Sequence, residues 1–119
     1  MIKDVKDWMP DRRRNSEETY KVELRAHLKS LNYELNEEFG ERKYDLLVQR
    51  KYAIEIKKDP NLSEYDRLFG QLARHLQHQC KVIVLILEAT SKDKYDNFTT
   101  LVDKYLHVDE NSVEVIGKR

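Results

Sequence analysis

The chain predicts an α/β fold: a three-layer αβα domain whose mixed central sheet is covered by helices on both sides. Three observations carry this. Residues 82–87, Val-Ile-Val-Leu-Ile-Leu, are apolar at every position, as in a strand buried on both faces. Two shorter runs, 44–48 and 53–57, are rich in β-branched and aromatic residues and are bounded by charged turns, the mark of neighbouring strands. Amphipathic stretches with apolar residues at helical spacing alternate with these runs. The expected core order is helix, three strands, helix, strand, followed by a further helix and strand.

The elements follow in turn. Residues 1–14 are polar and read as a charged leader, with Trp8, Met9 and Pro10 ahead of the run Arg12-Arg13-Arg14. Residues 15–119 read as one domain. Tyr20, Leu24, Leu28 and Leu31 recur at helical spacing from about Asn15, with Asn15 or Ser16 as cap and Glu17 and Glu18 in the first turn. Asn32 ends that helix, and residues 33–39 make a first strand by alternation. Gly40-Glu41-Arg42 turns the chain into the runs 44–48 and 53–57, which are joined by a turn near residues 49–51. Asp59-Pro60-Asn61 stops the third strand, because proline has no N–H to give to the ladder. A second helix covers about residues 63–78 through Tyr65, Leu68, Phe69, Leu72 and Leu76. After the apolar strand, a third helix at about 92–106 carries Tyr95, Phe98, Leu101, Val102 and Tyr105. Residues 112–116 close the chain as a short strand.

Composition narrows the class. At 119 residues the chain suits a single domain with a core that needs no staples. Lys plus Arg (22) balance Asp plus Glu (22), so a surface for nucleic acid has to come from local segregation of charge. The lone Cys80 excludes an internal disulfide framework and suits a reducing, cytoplasmic setting. No stretch approaches the roughly 20 apolar residues that cross a bilayer, and the first ten residues lack the apolar centre of a signal peptide. His75, His78 and Cys80 lack the paired spacing of a structural zinc site. With three glycines, the chain has no Gly-rich phosphate loop.

The chemistry-bearing residues sit in the two short runs. Side chains alternate along a strand, so Glu55 and Lys57 share a face while Ile54 and Ile56 take the other. If the runs pair, Asp45 meets Glu55 and Lys57 across the sheet. Two carboxylates and an ammonium in one small volume are costly unless a divalent cation neutralises the acids or the groups pair with one another. Alone, a Glu-x-Lys pair on a strand describes an exposed ion pair. Asp45 on the preceding strand and Gly70-Gln71 on the following helix turn the reading towards a site.

These residues resemble the restriction-endonuclease-like superfamily, whose site is written PD-(D/E)-x-K. Asp45 matches the motif's Asp, and Glu55-Ile56-Lys57 match its E-x-K at the start of the next strand. Tyr44 stands where the name of the superfamily puts proline. The likeness covers roughly residues 15–90. The segment Leu68-Phe69-Gly70-Gln71-Leu72-Ala73-Arg74-His75 resembles the helix after the E-x-K strand in exonuclease-like and virus- or archaeal-type members. Residues four apart share a helix face, so Gln71 and His75 are both expected to face the site or a substrate phosphate.

The resemblance implies a Mg²⁺-dependent nuclease that hydrolyses DNA phosphodiesters, with Mn²⁺ as a substitute. Asp45, Glu55 and the carbonyl of Ile56 would be metal ligands, joined by one Glu of the first helix. Glu18 is preferred there over Glu17 and Glu23. Lys57 and Gln71 complete the catalytic set. Arg12, Arg13, Arg14, Lys58 and His75 are expected to contact nucleic acid. So small a domain has little surface for reading bases, which favours recognition of DNA structure or ends, and a homodimer is compatible with this. The rival expectation is a catalytically silent nucleic-acid-binding or assembly subunit that keeps the same fold.

Overall fold

The structure is a computed structural model that describes residues 2–8, 16–36, 45–77, 81–108 and 111–118. In chain order its elements are α1 (Ile2–Asp7), α2 (Glu17–Ser30), β1 (Leu35–Asn36), β2 (Leu46–Val48), β3 (Tyr52–Lys58), α3 (Leu62–Leu76), β4 (Lys81–Leu87), α4 (Lys92–Tyr105), β5 (His107–Val108) and β6 (Asn111–Lys118). The strands form one mixed sheet in the order β1-β2-β3-β4-β6-β5. β1, β2 and β3 are antiparallel neighbours. β3, β4 and β6 run parallel, with α3 and α4 as their crossovers.

Local chemistry sets the boundaries. Ser16 caps α2 by accepting the N–H of Thr19 at 3.1 Å. Asn61 and Glu64 make a reciprocal capping box at the start of α3. Ser91 accepts the N–H of Lys94 and opens α4. The β2–β3 hairpin turns through Gln49 and Arg50, both at positive φ, and Lys51 N–H closes it on the Val48 carbonyl at 3.0 Å. β3 and β4 are each followed by a residue with left-handed φ, Asp59 (40°) and Glu88 (54°). Asp59 holds that geometry with its carboxylate, which accepts from both the N–H and the hydroxyl of Thr90.

The strands carry two apolar layers. On one face Ile54, Ile56, Ile83, Leu85, Leu87 and Ile116 pack with Tyr20, Leu24 and Leu28 of α2. On the other, Val82, Val84, Ile86 and Val113 pack with Leu68, Leu72 and Leu76 of α3 and with Phe98 and Val102 of α4. Each fully buried aliphatic side chain stabilises such a layer by about 1.5–3 kcal/mol. The expected three-layer α/β architecture is what the chain adopts.

Two elements differ from the expectation. The leader is partly structured: residues 2–7 form α1, and Val5 and Trp8 are buried in the α2-side layer. Polar ties fix α1 in place. Lys6 pairs with Glu114 at 3.1 Å, Tyr33 donates to Asp4, and Lys118 donates to the carbonyl of Lys6. The two-residue strand β5 also joins the sheet beside β6, too short for its alternation to be read. The remaining expectations for 37–44 lie outside the described residues, as do Met9, Pro10 and the run Arg12, Arg13, Arg14.

Candidate functional site

β2 is only three residues long while its partner β3 has seven, so the edge of β3 beyond Ile54 meets no described β2 strand residue. Asp45 sits at that point. The register Leu46 opposite Ile54 places Asp45 beside Glu55. Its Oδ2 accepts the Ile56 N–H at 2.7 Å, taking up a ladder donor at the end of the pairing. In an antiparallel pair, N–H and C=O of one residue face the same neighbour, so the Ile56 carbonyl lies on this edge too.

Glu55 points the other way from its flanking isoleucines, into the α3-side layer, and is 6% exposed. A carboxylate there needs a partner, and α3 supplies one: His75 Nε2 lies 2.9 Å from Glu55 Oε1, with the imidazole 10% exposed. Burial pushes the Glu55 carboxyl above its ordinary value. The hydrogen bond from His75 opposes that, and the nearby Asp45 carboxylate pushes the same way as burial. The acids are therefore close enough to repel. That is the first requirement of a site that collects positive charge.

The counter-charges are not the ones expected. Lys57 shares the Glu55 face by alternation and is half-buried, but no described carboxylate lies within ion-pair distance of it. Asp45 is paired instead with Lys21 of α2, Nζ to Oδ1 at 3.5 Å. Lys21 also meets Glu18 at 3.4 Å. Burial pulls the Lys21 ammonium down, but Asp45 and Glu18 outweigh it and hold it above its ordinary value.

Several expected residues take other places. Glu18 has a 75% exposed side chain and pairs with Lys21, the same ammonium that meets Asp45. Glu17 accepts the Lys58 N–H at 2.9 Å beyond the end of the motif. Lys58 Nζ pairs with Glu88 at 3.7 Å, and Glu88 also accepts from the Tyr20 hydroxyl at 3.0 Å, so Lys58 is partly committed within the fold. His75 is not an open phosphate contact, because it is buried on Glu55. Gln71 stands one helical turn before His75, and its buried Oε1 has no hydrogen-bond partner among the described residues.

The donor set favours a particular kind of cation. Among the described residues no group of three or more His, Cys, Asp and Glu is placed to hold a metal. What meets at the strand edge is two carboxylates and a main-chain carbonyl. Few protein ligands, all of oxygen, suit Mg²⁺ or Mn²⁺, which keep several waters; they do not suit zinc.

Lys21 is the site residue that sequence reasoning missed. It stands one position from Tyr20 and three before Leu24, on the border of the apolar stripe of α2, where a lysine ordinarily reads as solvated. Scans against protein-family models, curated proteins and solved structures return no match for the chain. Among the described residues no helix is long and apolar enough to cross a membrane.

Proposed function

We propose that the domain is a Mg²⁺-dependent nuclease of the PD-(D/E)XK type that hydrolyses DNA phosphodiesters within the cell. The observation that carries this reading is the meeting of the Asp45 and Glu55 carboxylates from adjacent strands, with Lys57 two residues along the same face. When bound, Mg²⁺ polarises a phosphate oxygen and acidifies a water. Asp45 and Glu55 would hold the cation with the Ile56 carbonyl, and His75 fixes the Glu55 carboxylate against α3. Lys57, without an ion pair among the described residues, orients the attacking water or stabilises charge developing on the phosphate. Gln71 offers its unpartnered amide oxygen on the same helix face as His75. Lys58, and the arm Arg12, Arg13, Arg14 outside the described residues, are the candidates for backbone contacts along DNA. With so small a surface the protein reads DNA shape or ends, alone or as a homodimer.

The test is incubation with single-stranded, duplex and branched DNA in Mg²⁺, Mn²⁺ or chelator. Cleavage is expected only with metal, and is lost in Asp45→Ala and Lys57→Ala. Salt-sensitive binding without cleavage would instead identify a silent nucleic-acid-binding subunit. The absence of both would remove the nucleic-acid reading altogether.

A further inference from the structure

Lys21 is the group beside the acidic pair that the strand motif does not account for. One ammonium bridges two carboxylates, 3.5 Å from Asp45 and 3.4 Å from Glu18. The two ends of the bridge differ in surroundings. The Asp45 side chain is 25% exposed and that of Glu18 is 75% exposed. Charge pairs gain more where water is partly excluded, so the pull towards Asp45 is the stronger. Glu18 sits one turn back on the same helix, within reach of a change in the flexible lysine stem.

We infer that Lys21 is a built-in competitor for the metal at Asp45, which a divalent cation displaces and Glu18 receives. The inference rests on the reading of Asp45 and Glu55 as a metal pair. A divalent ion bound to Asp45 brings two positive charges close to an ammonium that already occupies one of its oxygens. Repulsion at that range drives the ammonium off the Asp45 oxygen. Glu18 then keeps the displaced ammonium paired, which explains a carboxylate placed next to the site and yet too exposed to belong to it. The affinity for the cation is set below what the bare acids would give. Occupancy therefore responds to metal concentration through the position of one side chain on α2.

Calorimetric titration of Mn²⁺ into chelator-treated full-length protein tests this without any activity measurement. Lys21→Met is expected to bind Mn²⁺ about tenfold more tightly than wild type, because one unit charge near the ion is removed. Lys21→Arg is expected to stay within about twofold of wild type, since it keeps the charge. Glu18→Gln, on an exposed side chain that the fold does not need, is expected to weaken binding about two- to threefold. In a Lys21→Met background Glu18→Gln should change nothing, a coupling that a general field effect of Glu18 would not produce. Unchanged or weaker binding by a cooperatively folded Lys21→Met overturns the competition. A Glu18→Gln effect that persists in the double variant overturns the receiving role. Should Lys21→Met fail to fold, an unaltered affinity in Glu18→Gln overturns the proposal by itself. No Mn²⁺ binding by wild type or any variant defeats the metal-pair reading itself, an outcome distinct from binding that ignores Lys21.

Discussion

β3 and β4 lie side by side in parallel register over seven residues, yet only one of them carries charge into the interior. Glu55 stands opposite Val84, and Lys57 opposite Ile86. β4 is central, flanked by β3 and β6, and its residues Val82 to Leu87 touch apolar side chains on both faces. β3 has a partner on one side that stops after three residues and a helix on its face that carries His75. A carboxylate is tolerated in a buried strand where a short neighbour and a helix bring polar partners to it. One strand further in, the same carboxylate has none.

The contrast can be broken at β4 or sharpened at β3. The largest effect is expected for Val84→Glu, which buries an unpaired acid among Leu and Val side chains. We expect a loss of about 4 kcal/mol or more, seen as the absence of a cooperative thermal transition at neutral pH. A folded Val84→Glu protein of wild-type stability would remove the distinction between the strands. Leu85→Ala leaves a cavity in the α2-side layer and should cost about 3 kcal/mol by urea denaturation. His75→Ala strips Glu55 of its partner and is expected to cost about 2–3 kcal/mol, measured the same way.

The smallest and most telling change is Glu55→Gln, which keeps a hydrogen-bonding group for His75 and ends the repulsion with Asp45. It should raise stability by about 1 kcal/mol at neutral pH while abolishing metal-dependent cleavage. The sign follows from the raised carboxyl. Folding strengthens proton binding at Glu55, so its contribution is most favourable in acid and worsens as pH rises through the native value. Glutamine mimics the protonated acid. The gain should therefore be absent below the ordinary carboxylate range and should grow towards neutrality. Thermal melts of both proteins from pH 4 to 8 measure it.

Most of the fold was legible because burial writes itself into sequence as periodicity. The all-apolar run of β4 and the stripes of α3 and α4 left little freedom in the choice of layers. α1 was legible in principle: Ile2, Val5 and Trp8 are spaced by three along one helix face. Lys3, Asp4, Lys6 and Asp7 between them outweighed that signal in any average of composition. β5 was not legible, since a two-residue strand has no period. The meeting of Asp45 and Glu55 could be anticipated from alternation and a short hairpin. The place of His75 on the site-facing side of α3 could also be read, from its spacing to Gln71, but its burial on Glu55 could not. Lys21 could not be read at all: it reaches Asp45 from α2, on the opposite face of the sheet, and linear spacing does not say which border residue of a helix lies over which strand.

Trp8 has a practical meaning for anyone shortening the chain. A cut placed where the polar opening ends would discard an indole and the isopropyl group of Val5 from the α2-side layer. The hole left there would turn a harmless-looking trim into a solubility problem. Work on this protein should keep its first eight residues, and should place any purification handle at the opposite terminus.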